Sequence, residues 1–341
     1  MVRVPTAGQQ LGGYSRFGMN VQQVLLFLNQ PIAALEYGQH TVELYEPIRY
    51  MMALGGKRMR PLLTLLSAYL FSDDWRKAVR PAIAVEVFHN FTLMHDDIMD
   101  RAPLRRNQPT VHTKWNQNVA ILSGDVMLVS AYELLADVEP AQLRQVLVRF
   151  NRCAAQVCEG QQWDMNFESL AAVSEADYLK MIELKTAVLL GFGLELGGLI
   201  AGADEMATRM LREAGTNIGL GFQLKDDLLD VFGDQTKFGK QVGGDILANK
   251  KTFLLIEALE KAGAAEKRTL NHWLSAQQFD KDEKVRAVTD VYNRLGVRSI
   301  TETRMNQYFT AGLDCLDRLP AEESRKAVLR QFIVELIDRE S

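Results

Sequence analysis

A chain of 341 residues, 47% of them hydrophobic, is long enough to bury a sizeable core. Its 39 Lys plus Arg against 43 Asp plus Glu leave a formal net charge of −4, which argues against nucleic-acid binding, because such domains carry a basic excess. The three cysteines, Cys153, Cys158 and Cys315, lack metal-ligand spacing and read as reduced core thiols of a cytoplasmic protein.

The opening stretch MVRVPTAGQQLGG has no apolar core of the signal-peptide kind, and 1–18 reads as irregular. Beyond it nearly every segment repeats apolar residues every three to four positions, and no run alternates as a strand does. The expectation is an all-α, single-domain helical bundle over 1–341. Pro61 opens PLLTLLSAYLF at a first-turn position, and Asp73 or Asp74 caps the long helix that ends in FTLMHDDIMD. Pro103 stops that helix soon after Asp100. An apolar helix covers 118–136, and Pro140 begins another that runs to about Phe167. Ser174 with Asp177 makes an approximate capping box for a helix through Lys185. The apolar segment 187–203 holds Glu195 and is short for a bilayer span, so it reads as a buried helix and no transmembrane segment is expected. Pro320 with Glu322 and Glu323 starts the last helix.

Two stretches carry the same Asp-Asp-x-x-Asp spacing: Asp96, Asp97 and Asp100 in one, Asp226, Asp227 and Asp230 in the other. On a helix the first and third aspartates are neighbours on one face, roughly 6 Å apart. Carboxylates so crowded repel unless a hard cation lies among them, and Mg²⁺ accepts a few carboxylates while leaving positions for phosphate oxygens. Basic residues follow each copy: Arg105 and Arg106 after the first, Lys237, Lys240, Lys250 and Lys251 after the second. Acid for metal beside base for anion is the inventory of a site for a metal-bound diphosphate. The longest irregular segments, 55–60, 101–110 and 233–249, hold glycines and charges beside these motifs and read as lids.

The segments GGKRMRP, HNFTLMHDDIMDRAPLRRNQPTVH, LKT and FQLKDDLLDVFGD, followed by KFGKQVGGDI, resemble the trans-isoprenyl diphosphate synthases, or polyprenyl synthetases, in matching order from about Leu44 to Thr252. The resemblance implies a deep apolar cavity, a homodimer, and head-to-tail condensation of an allylic diphosphate with isopentenyl diphosphate, aided by about three magnesium ions. By the same matching Asp96 and Asp100 hold two of the ions and Asp226 the third, with Asp97, Asp227, Asp230 and Asp245 in support. Arg105, Lys185, Lys240 and Lys250 grip the allylic diphosphate, and Thr186 and Gln223 line the path of the carbocation. The loop between Lys240 and Asp245 is one residue longer than in the farnesyl-type pattern, which bears on the place of Lys250. Lys57, Arg60, His89 and Arg106 match the isopentenyl diphosphate site. His89 stands seven residues, about two turns, before Asp96 and so faces the same side of its helix. His95 and His112 are left as structural. No protein base for the final proton is visible; in the family the released diphosphate is taken to accept it.

Bulky residues upstream of Asp96 set the floor for the growing tail. Phe91 with the smaller Thr92 beside it resembles the C20-type pattern, farnesyl-type C15 being next, and Phe88 one turn deeper forms a second stop. Two rivals stand beside a short-chain prenyltransferase. A class I terpene cyclase usually has one such motif and no use for a second diphosphate pocket. A non-catalytic subunit of a prenyl synthase should have lost metal ligands, which this chain keeps.

Overall fold

The computed structural model describes residues 19–233 and 243–338, and α-helix dominates them. In chain order the helices are α1 (Val21–Ala33), α2 (Val42–Ala53), α3 (Met59–Phe71), α4 (Val79–Met99), α5 (Val111–Lys114), α6 (Gln117–Leu135), α7 (Pro140–Ser169), α8 (Glu175–Ile182), α9 (Val188–Ile200) and α10 (Glu205–Phe232). After them come Gly244–Leu247, Phe253–Lys261, Ala264–Ser275, Lys281–Arg294, Val297–Asp317 and Glu323–Asp338. The all-α expectation therefore holds. One exception among the described residues is a two-stranded antiparallel hairpin, Leu104–Arg105 with Gln108–Pro109, whose strands are too short to show alternating residues.

The chain groups into two compact units, each assembled from separated stretches of sequence. The described part of the first comprises 19–152, 192–212 and 316–334. Its centre is α4, whose residues 81–88 are all buried, so the helix shows little amphipathic contrast. α6 packs along α4 and α2, and α3 along α4. Gly124 makes the α4–α6 approach possible: a Cβ there would lie 2.2 Å from His95 Nε2. Among the described residues α6 is the one helix long and apolar enough to cross a membrane; here Met127, Leu134 and Leu135 on one side are fully buried.

Caps explain most helix boundaries. Asn20 accepts a hydrogen bond from Gln23 N at 3.0 Å to begin α1, and Ser174 accepts one from Asp177 N at 3.1 Å to begin α8. Pro61 is the third residue of α3, within the first turn as expected, where backbone N–H groups have no intrahelical acceptor. The cap expected for α4 is not at Asp73 or Asp74. A 3₁₀ turn, Trp75–Ala78, comes first and buries Trp75 edge-on against Phe27, while Asp73 accepts a hydrogen bond from Arg325 at 2.7 Å.

The described part of the second unit comprises 153–191, 213–233, 243–315 and 335–338. One apolar cluster gathers Leu228 and Val231 of α10 with Leu254, Leu270, Val291 and Tyr292. Another gathers Tyr178, Ile182, Leu220, Leu224, Phe253 and Ile256. The helix expected to run through Lys185 stops at Ile182 and continues as a π turn, Glu183–Ala187, before α9. Gly160 of α7 lets this turn pack close: a Cβ there would lie 2.2 Å from Lys185 N. Cys153 and Cys315 are buried as expected, but Cys158 is exposed and is no core thiol.

Candidate functional site

In the first unit the aspartates of FTLMHDDIMD end α4. Asp100 is the C-cap residue, its N–H bonded to Asp96 O at 2.9 Å, so the carboxylates stand at a helix terminus whose dipole favours cations. Asp97 is buried at 2% exposure, Asp96 is half-buried and Asp100 exposed. The hairpin then returns the chain. Its two loop residues, Arg106 and Asn107, both have positive φ, 52° and 61°, as a two-residue primed turn requires. That turn brings Arg105 onto Asp97, with Nε 2.8 Å from Oδ2 and Nη2 2.8 Å from Oδ1, and Nη2 3.7 Å from Asp96 Oδ2. Burial raises the Asp97 carboxyl, opposed by the hydrogen bonds and charge of Arg105.

A separate cationic pocket of about 440 Å³ is lined by Gly56, Lys57, Arg58, Met59, Arg60, Glu86, His89 and Arg106. Gly55 and Gly56, with φ of 79° and 138°, turn the chain from α2 into α3, and Arg106 Nη1 donates to Gly55 O. Arg60 Nη1 lies 3.2 Å from His89 Nε2. Burial, then the charges of Arg60 and Arg106, hold His89 well below the ordinary histidine range, so its ring is neutral at pH 7. Lys57 is exposed at the rim. The four residues assigned to isopentenyl diphosphate thus share one pocket.

Further along α4, the Phe91 ring stands 5.5 Å from Phe88 and 4.8 Å from His95, and Phe88 meets Phe150 at 5.1 Å. Thr92 turns its hydroxyl back to His89 O at 2.8 Å. His95 lies 3.1 Å from Ile121 O and His112 3.2 Å from Thr110 Oγ1, both packing partners.

In the second unit α10 carries Asp226 exposed, Asp227 buried and Asp230 half-buried. Asp227 accepts a short hydrogen bond from the buried Tyr178 hydroxyl and one of 3.2 Å from Gln223 Nε2. Burial, with a further push from Asp245, raises the Asp227 carboxyl to about 7. Asp230 is raised to about 6 by burial and by Asp245, whose N–H it accepts at 2.9 Å. Lys250 lowers both. The π turn presents Lys185, which donates to Asp164 at 2.6 Å, and Thr186, whose hydroxyl lies 3.4 Å from Gln223 Oε1. π turns of this kind recur at functional sites. Lys251 donates to Phe167 O at 2.7 Å. Lys237 and Lys240 lie outside the described residues.

Asp164 and Tyr178 escaped the sequence reading. Each is a single residue outside any motif, and its contact, to Lys185 or Asp227, is made by packing 21 or 49 residues away. The QQWD run at 161–164 follows Gly160, the residue that sets the approach to Lys185.

The donor set fits magnesium. Asp245 raises both Asp227 and Asp230, so a cation among them would be favoured, and the oxygen ligands are those a hard ion takes. Among the described residues no three His, Cys, Asp or Glu side chains gather closely enough to enclose an ion. An ion here would complete its shell with water and phosphate oxygens, as Mg²⁺ commonly does.

Residues 41–292 match the family described as Polyprenyl synthetase. The chain is 36% identical over 316 residues to the geranylgeranyl pyrophosphate synthase of Geoglobus acetivorans, covering 91% of this chain and 94% of that one. It is 35% identical over 295 residues to the geranylfarnesyl diphosphate synthase of Aeropyrum pernix, covering 84% and 91%. A solved geranylgeranyl pyrophosphate synthase superposes with a TM-score of 0.88 at 41% identity, over 95% of this chain and all of that one.

Proposed function

Because the chain belongs to the polyprenyl synthetase family and is an isoprenyl diphosphate synthase, a short-chain trans-prenyltransferase, we propose that it extends an allylic diphosphate with isopentenyl diphosphate to geranylgeranyl diphosphate, C20. The observation that supports this most is the cationic pocket of Lys57, Arg60, His89 and Arg106, which contains neither aspartate motif. A cyclase has no second diphosphate to bind, and a non-catalytic subunit has no need of two complete motifs.

Asp96 and Asp100 would hold two magnesium ions and Asp226 a third, with Asp97, Asp227, Asp230 and Asp245 orienting them. Magnesium when bound neutralises the diphosphate as charge develops on it. Arg105, Lys185, Lys240 and Lys250 bind the same diphosphate. The ion pairs Arg105–Asp97 and Lys185–Asp164 hold two of these cations in position beforehand, which lowers the ordering cost of binding. Lys57, Arg60, His89 and Arg106 hold isopentenyl diphosphate without metal, so that it is oriented and not ionised. The oxygens of Thr186 and Gln223 face developing positive charge with their negative dipole ends. The departed diphosphate takes the final proton.

Phe91 ends the tail, with Phe88 behind it. The two units act as one catalytic domain, since each carries one motif the reaction needs. The protein works in the cytoplasm as a homodimer, its contact face the exposed apolar side of α6, where Leu122 is 57% and Val129 66% exposed. The experiment is product analysis with C5, C10 and C15 allylic diphosphates. Each should end at C20; an end at C15 or C25 removes the length assignment.

A further inference from the structure

Arg58 is the residue of the cationic pocket to which the reaction, as described, gives no task. It is buried and takes a left-handed backbone, φ 48°, unusual for a residue with a side chain. It also stands at the N-cap of α3 without capping it. Its guanidinium runs inward instead. Nη1 donates to Glu86 Oε1 at 2.6 Å and Nη2 to Met52 O at 2.7 Å, the last turn of α2. Asn90, one turn beyond Glu86 on α4, donates to the same Oε1 at 3.1 Å and to Glu86 O at 2.8 Å. Side chains of Arg58 and Glu86 are 6% and 4% exposed.

Glu86 is the one acidic side chain in the lining of a pocket otherwise furnished with Lys57, Arg58, Arg60 and Arg106. A buried carboxylate there opposes an anionic ligand unless a partner neutralises it, and a buried ion pair broken at one end leaves a charge that nothing offsets. The same pair ties the 55–60 turn to α4. Lys57 and Arg60 flank Arg58 in sequence, so anchoring Arg58 sets the register in which they enter the pocket. The left-handed conformation persists because contacts to α2 and α4 over-determine it.

We propose that Arg58 is a positioning residue for isopentenyl diphosphate, acting through Glu86: it neutralises the pocket's carboxylate and pins the turn that presents Lys57 and Arg60. The assignment rests on the reading of this pocket as the isopentenyl diphosphate site. The test is a cycle of Arg58→Met, Glu86→Gln and the double variant, with KM for each substrate, kcat and melting temperature measured. Arg58→Met should raise KM for isopentenyl diphosphate at least tenfold and leave KM for the allylic diphosphate within twofold. The double variant should recover the part of that loss due to the unpaired carboxylate, several-fold in KM, and keep the part due to the lost anchor of the turn. Arg58→Lys, which keeps the charge without the fork, should fall between, and it carries the comparison if Arg58→Met does not fold. A double variant as impaired as Arg58→Met would show that the unpaired Glu86 carboxylate is not the source of the loss and overturn the proposal. So would equal rises in both KM values, or a loss that follows melting temperature alone. A wild-type protein that incorporates no isopentenyl diphosphate fails the underlying reading instead, which the same assay shows before any variant is compared.

Discussion

Two pairs of carboxylates near the site, all at least half-buried, differ in their partners. Glu86 and Asp97 each meet a guanidinium, at 2.6 and 2.8 Å, and for Asp97 that partner opposes the rise that burial causes. Asp227 and Asp230 meet hydroxyl, amide and backbone donors while Asp245 crowds them, and both are raised. The second pair is relieved in part by Lys250 and would be relieved further by a bound cation. Replacing Asp96 or Asp226 by Asn should therefore cut kcat by about 10²–10³-fold, the size seen when charge stabilisation is removed from a transition state. Asp226 is exposed and Asp96 half-buried, so melting temperatures should barely move. A variant with the wild-type initial rate would take that aspartate out of the site. His89 supplies the pH dependence. Its folded pKa lies well below 6.5, so between the two values the unfolded chain binds more protons than the folded one. Stability then rises with pH through that window and is lost as pH falls below about 6.5. His89→Gln should therefore lose less stability than the wild type as pH falls from 8 to 5.5. Parallel melting curves of the two proteins from pH 8 to 5.5 would contradict it. Both motifs and the residues of the cationic pocket, Lys57, Arg60, His89 and Arg106, were legible, because spacing and charge are properties of neighbouring letters. Asp164 and Glu86 were not, since what marks them is a partner brought near by folding.

At the scale of single elements, the helix ends that depend on local chemistry were readable: Ser174 before α8, Pro140 at the start of α7, and Pro103 beyond α4. The hairpin at 104–109 was not. Its strands are two residues long, too short for any period, and its turn places Arg106 in the left-handed region where sequence gives no warning. The π turn at Glu183–Ala187 escaped for a similar reason, since it packs on Gly160 of another helix, which no local spacing marks. Gly160→Ala should displace Lys185, whose backbone N would lie 2.2 Å from the new methyl. We expect a loss of about 1–3 kcal/mol, typical of overpacking, and a rise in KM for the allylic substrate. Unchanged melting and kinetics would show that α7 moves away freely. On α4, Phe91→Ala should lengthen the product, because Phe88, the next ring behind it, stands deeper in the helix core. An unchanged product ladder would remove Phe91 as the stop.

For the whole molecule, the all-α class followed from the helical period that runs through nearly the entire chain. The grouping into two units did not, because each is assembled from stretches far apart in sequence and α7, α9 and α10 each contribute to both. No composition shift marks such a division. The central claim is that two aspartate motifs, one in each unit, serve a metal-dependent condensation of two diphosphates. Its most direct measurement is incorporation of labelled isopentenyl diphosphate by the purified chain given an allylic starter, with magnesium and after its removal by chelation. Label should enter a C20 product with magnesium and none without it; label incorporated equally in both, or in neither, would rule out a metal-dependent condensation.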